Sequence, residues 1–294
     1  MPLFDFTLKP FEDIDPFSDQ GEPVLIWFGL TDAYYHVNVG DEQLFRYTPE
    51  IEEYWYKEYP DNKQTSPVVD YNVIRLYEDL FEILPNILQP LPDEIHAIVS
   101  TRDTQDQWFG QLRDKFHLII DASDELEDGV EDNFDELHNI YLEATGWWGN
   151  RQLPTSHLKM GPDIWIWRYK SDVYIRWDCT DVSEEKEPPF WTAGKGEFKL
   201  SLDEFLEEIH DFHDRLMSGM AERIEQLKTN NPIPHIRIDL ESVAREHEVR
   251  IKSLDEILLK TPSVKDWDAV MRAYKDFQSL SIEEIFRKKA EPVK

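Results

Sequence analysis

Apolar and polar positions change period several times along this chain, and the changes mark its elements. The densest stretch is Asp163 to Asp178: Ile164-Trp165-Ile166-Trp167-Arg168-Tyr169, the turn Lys170-Ser171-Asp172, then Val173-Tyr174-Ile175-Arg176-Trp177. Two β-branched and aromatic runs around a short polar turn predict a β-hairpin. Both faces of each strand carry bulky side chains, so other elements must cover it. Near the N-terminus, Val24–Phe28, Tyr34–Val39 and Gln43–Tyr47 read as three strands of a meander, punctuated by Gly29–Asp32 and Gly40-Asp41. A further strand is expected through Phe190–Thr192 and Phe198–Leu200.

Elsewhere the period lengthens to that of a helix. Val69, Val73, Leu76, Leu80 and Leu84 make a one-sided stripe that should stop at Pro85. Asp103–Lys115 predicts another helix, followed by a short strand or connector at Phe116–Ile120. Asp124–Ala144 carries the stripe Leu126, Val130, Phe134, Leu137, Tyr141 and Ala144, with Gly146 placed to cap its C-terminus. Ser201-x-x-Glu204 is a capping box opening a helix to about Lys228, buried through Leu202, Phe205, Ile209, Phe212, Leu216, Met220, Ile224 and Leu227. Asn230-Asn231-Pro232-Ile233-Pro234 ends it. Short helices follow, capped at Ser253 and Ser281, with an amphipathic piece through Trp267, Val270, Met271, Tyr274 and Phe277. The fold expected is α+β: an antiparallel meander and a Trp-rich hairpin packed against amphipathic helices, with a helical C-terminal extension. The boundary at the proline cluster divides the chain into an acidic α+β domain, 1–229, and the extension, 235–294.

Charge sharpens that division. The chain has 31 Lys and Arg against 61 Asp and Glu, a net charge of −30. Residues 235–294 balance twelve against twelve, so residues 1–234 carry the whole excess. Such a field repels phosphate backbones and anionic lipid heads, so nucleic acid and membrane are poor partners and a basic protein is a good one. No apolar run is long enough to span a membrane, and no basic-then-apolar leader opens the sequence. With one cysteine, Cys179, there is no internal disulfide, and a reducing cytoplasm is the expected location.

The sharpest feature is the segment Phe116–Asn150, which contains no Lys or Arg. Asp124, Glu125, Glu127, Asp128, Glu131, Asp132 and Asp135 crowd there, and the apolar stripe turns most of them outward. Like charges at i,i+4 oppose a helix by a few tenths of a kcal/mol per pair. A cationic partner would relieve that repulsion and be steered toward it. Trp147 and Trp148, expected in a loop after Gly146, would be aromatic anchors beside the carboxylates; a solvated helix face and core-packed tryptophans are the plainer readings.

Catalytic and metal templates are weaker. Acid-x-x-His pairs occur at Asp93/His96, Asp114/His117, Asp135/His138 and Glu207/His210, but only one uses the Glu that di-metal helix bundles favour. Glu207, His210 and Asp214 share one helix and are the candidates for a metal or general-base site. The acidic segment lacks the spacing of a calcium loop. No nucleophile elbow, phosphate loop or dinucleotide fingerprint is present, so no cofactor is expected.

Trp27-Phe28-Gly29-Leu30-Thr31-Asp32-Ala33-Tyr34-Tyr35, Leu44-Phe45-Arg46-Tyr47 and Val69-Asp70-Tyr71-Asn72-Val73-Ile74-Arg75-Leu76-Tyr77-Glu78-Asp79-Leu80 resemble an uncharacterised bacterial family known only as a domain of unknown function. Trp165-Ile166-Trp167-Arg168, Ile175-Arg176-Trp177-Asp178 and Trp191-Thr192-Ala193-Gly194 are similar to its second half. The resemblance spans about residues 3–228 and implies no activity, cofactor or catalytic residue. The functional expectation therefore rests on charge: a cytoplasmic protein-binding module, most concretely an immunity or antitoxin protein occluding a basic, nuclease-type partner. The alternatives are an enzyme or metal protein using Glu207, His210 and Asp214, and a self-associating scaffold.

Overall fold

A computed structural model describes residues 1–58, 66–124, 131–180, 188–259 and 265–280, with the side chains of 121–124, 131–134 and 136 outside the description. The fold is α+β, as the periodicity predicts. The chain forms two compact units, each assembled from two segments: residues 1–88 with 152–262, and 89–151 with 263–294.

The first unit is built around strand β4 (Asp32–Val39), which pairs antiparallel with β1 (Phe4–Leu8), β5 (Glu42–Leu44) and β6 (Val69–Asn72). The register sets Tyr35 opposite both Phe6 and Val69, and Val37 opposite Leu44, so alternate residues of β4 enter the core. β2 (Phe17–Asp19) and β3 (Glu22–Leu25) form a tight hairpin, its two linking residues Gln20 and Gly21 both at positive φ, which suits the twist of the strands. The strand expected over Val24–Phe28 therefore starts earlier and stops at Leu25, with Trp27 fully buried beyond it. β5 is likewise shorter than expected. Phe45 interrupts it at φ 66, an uncommon conformation for a bulky residue, held by edge-on ring contacts to Tyr35 and Trp191. Arg46 and Tyr47 then pair with Val68 and Trp191 as isolated bridges.

The Trp-rich hairpin forms as expected: β7 (Asp163–Tyr169) pairs β8 (Asp172–Asp178), and β9 (Lys195–Ser201) adds to β8. Trp191 does not belong to β9. Gly196 lies opposite Trp177, where an added Cβ would stand 2.1 Å from the indole, so only glycine fits.

Helices α1 (Pro49–Glu58), α2 (Val73–Leu88) and α6 (Leu202–Asn230) cover these sheets. Pro85 lies inside α2, whose last turn is held by burial of Leu84 and Ile87. α6 starts at the expected capping box, with the Ser201 hydroxyl accepting from the Glu204 amide and the Glu204 carboxylate accepting from the Ser201 amide. Its face of Phe205, Ile209, Phe212, Leu216, Met220, Ile224 and Leu227 is buried, worth roughly 1.5–3 kcal/mol for each fully buried large side chain.

The expected cut at the proline cluster is not where the units divide. Ile233, Ile236, Val243 and Leu254 belong to the same core as α6. β10 (Arg237–Ile238) pairs parallel with β3, and α7 (Leu240–Arg250) and α8 (Ser253–Leu259) remain in the first unit. Only the segment beyond Pro262 joins the second unit.

The second unit is helical: α3 (Asp93–Val99), α4 (Arg102–Asp124), α5 (Glu131–Gly149) and α9 (Trp267–Ser279). α4 runs unbroken through Phe116–Ile120, where a strand or connector was expected, because Ile119 is buried two helical turns from Leu112, on the same face. The stripe of α9 buries Val270, Ala273 and Phe277, and Tyr274 stacks on Trp108. Among the described residues no helix is long and apolar enough to cross a membrane.

Candidate functional site

The acidic segment spans the end of α4 and the start of α5. Asp124 closes α4, and Glu131 and Asp132 open α5; Glu125, Glu127 and Asp128 lie outside the described residues. Asp135 is exposed on α5. Glu143 is not free: Lys265, ahead of α9, pairs with it at 3.0 Å.

Trp147 and Trp148 differ from expectation. Gly146 does not end the helix, and both indoles lie in its last turns at 1% and 5% exposure. Phe109 contacts both rings, Trp267 meets Trp147 edge-on at 5.7 Å, and the Trp147 Nε1–H donates to the Ala144 carbonyl. Burying two large rings outweighs the helix-ending tendency of one glycine, about 1 kcal/mol. They are core residues of the second unit rather than surface anchors.

Glu207, His210 and Asp214 are all exposed on the outer face of α6. Among the described residues no group of three His, Cys, Asp or Glu side chains is placed to hold a metal ion. The histidine that matters structurally on α6 is His213. Its Nδ1 lies 2.7 Å from the Tyr77 hydroxyl, which is 2.8 Å from Ser253 Oγ, and its Nε2 lies 3.1 Å from the Ile251 carbonyl. Burial lowers its pKa.

Sequence reasoning missed a second titratable cluster in the first unit. Asp79 on α2, only 2% exposed, is gripped by Arg75 one turn earlier, through Nε at 3.0 Å and Nη2 at 2.9 Å. His157, in the loop between Leu153 and Pro162, brings Nδ1 to 3.5 Å from Asp79, and its Nε2 lies 3.2 Å from the Tyr35 hydroxyl. Burial pushes Asp79 up to about 6 against the pull of Arg75. Burial, and then the Arg75 charge, push His157 down to about 4. The i,i+4 spacing of Arg75 and Asp79 was legible; the approach of His157 was not, because it depends on tertiary placement. Perturbed pairs of this kind recur in active sites. Here, however, the buried Tyr35 hydroxyl occupies Nε2, and Nδ1, which makes no hydrogen bond among the described residues, is itself buried, so neither ring nitrogen faces solvent. The cluster pins the loop to α2 and β4. Cys179 is equally closed: it is buried, and burial pushes its thiol up to about 12, so it stays protonated.

What remains outward is charge. Even if every lysine and arginine took one carboxylate, 30 carboxylates would be left over.

Comparison with curated proteins gave no match, and comparison with solved structures gave none. A family model matches residues 3–273, well past the 3–228 of the sequence resemblance, so α7, α8 and the first half of α9 fall within the match. The chain therefore belongs to DUF5984, a family of unknown function.

Proposed function

We propose that the protein is a protein-binding module, most concretely an immunity or antitoxin-type protein that occludes a basic partner such as a nuclease. The observation that carries this reading is the carboxylate excess, 61 against 31, together with its concentration in a segment without a single cation, Phe116–Asn150. With both tryptophans inside the second unit, recognition falls on the carboxylates of 124–135. The mechanism is long-range attraction followed by steric cover of the partner's cationic surface.

The test is direct. The partner is recovered by co-purification from the source cell, and its affinity is measured by calorimetry at about 50 and 200 mM salt. Reversing Glu131, Asp132 and Asp135 to lysine should weaken binding at least about tenfold and flatten its salt dependence. Unchanged affinity after the triple reversal would remove the acidic segment from the interface. Glu143 is a poor choice for reversal, because Lys265 already neutralises it.

A further inference from the structure

Beside the turn between β4 and β5, the first unit carries a pocket of about 420 Å³, lined by Met1, Asn38, Gly40, Asp41, Glu42, Gln43, Arg46, Thr192 and Ala193. Its volume lies in the range of small-molecule sites. Its charges are of both signs and do not meet: no carboxylate comes within 4.0 Å of the Arg46 guanidinium among the described residues. An unpaired arginine beside two acidic residues is unexpected in a chain so rich in carboxylates. Arg46 is instead held in place from behind. Its Nη1 donates to Gln43 Oε1 at 2.8 Å, Gln43 Nε2 donates to Asn38 Oδ1 at 3.1 Å and reaches His36, and Asn38 donates to the Pro2 carbonyl. The Arg46 carbonyl accepts from the Thr192 amide and hydroxyl. The left-handed turn at Phe45 is what redirects the chain after β5 to present Arg46 there. Backbone strain, a chain of amides and a guanidinium without a counter-ion among the described residues all converge on one opening.

We infer that this pocket binds a free α-amino acid. The guanidinium fork matches a carboxylate, and Asp41 and Glu42 offer acceptors for an ammonium group. A phosphate or other dianion would meet the two carboxylates, and a simple cation would meet Arg46. Only a zwitterion satisfies both sides at once. The site does not depend on the proposed protein interface. To test it, the twenty common amino acids are screened against the full-length protein by NMR. The strongest ligand is then compared with its N-acetyl and C-amide derivatives, which lack one charge each. The zwitterion should bind at least about tenfold more tightly than either derivative, and Arg46→Gln and Asp41→Asn should each weaken it about tenfold. Both side chains are exposed, so neither substitution threatens the fold. No shift with any amino acid, equal binding of the N-acetyl derivative, or full binding by the Arg46→Gln variant would overturn the inference.

Discussion

The Asp79–His157 pair makes an unusual statement about acid stability. The two groups move in opposite directions on burial, Asp79 from an ordinary 3.8 up to about 6 and His157 from 6.5 down to about 4. A depressed histidine is neutral in the fold while the unfolded chain takes up a proton. Its contribution is complete above pH 6.5 and is lost as the pH falls toward 4. A raised aspartate behaves in the opposite sense: the fold takes up the proton first, so stability is gained as the pH falls through 6 toward 3.8. Integrating each shift between pH 7 and 4, His157 removes about 3 kcal/mol and Asp79 adds about 2 kcal/mol. The pair should therefore change net stability by only about 1 kcal/mol over this range. Single substitutions expose the balance. In His157→Gln, whose amide can still reach Tyr35, stability relative to the native protein should rise by about 3 kcal/mol between pH 7 and 4. In Asp79→Asn it should fall by about 2 kcal/mol over the same range, on top of any constant offset. Urea unfolding at pH 7, 6, 5 and 4 gives both difference curves, and the many other carboxylates cancel in each. Curves of the same sign, or both flat within about 0.5 kcal/mol, would refute the assignment of opposite shifts to this pair.

Other substitutions probe other parts of the molecule. Ser201→Ala breaks the capping box of α6 and should lower stability by about 1 kcal/mol in denaturant unfolding. Both ring nitrogens of His247 are buried without partners beside Trp27, so His247→Phe should raise the urea midpoint, by about 1 kcal/mol in stability; a loss of that size would show that the imidazole is satisfied after all. Gly196→Ala drives a methyl into Trp177 and should cost about 1–3 kcal/mol, visible as a change in near-UV circular dichroism. Trp147→Ala should destabilise the second unit by about 3–5 kcal/mol; a variant that keeps full stability but loses partner binding would return Trp147 to the surface role it was first given.

Where the sequence was legible, a local signal had no tertiary competitor. The hairpin β7–β8 and the capped helix α6 were read nearly to the residue, because period and cap agree in each. The misreadings share a cause. Pro85 and Gly146 are breakers by propensity, yet Leu84 and Ile87 on one helix, and Trp147 and Trp148 on the other, bury enough surface to carry the helix past them. Phe45 gave no warning of its left-handed backbone, since nothing local asks a phenylalanine to adopt it. The division near Pro232 was drawn from charge, which reports surface; core membership of Val243 and Leu254 depends on which face turns inward. Asp79 and His157 stand 78 positions apart, beyond the reach of any motif.

The interleaving of the two units bears on how the protein is made. The first unit begins with Met1 but is not complete until Pro262, and the 63 residues from Gln89 to Arg151 are inserted within it. A nascent chain emerging from the ribosome has β1, β4 and β5 early, yet α6 and β10, the parallel partner of β3, arrive only after most of the protein has been translated. The part of β1 that packs on α6, where Phe4 and Phe6 meet Phe212, stays uncovered through that interval. Early chaperone protection, or slow synthesis of the inserted stretch, would decide the yield of soluble protein, and a fragment cut at Thr229 would expose the apolar seats of Ile236, Val243 and Leu254 permanently.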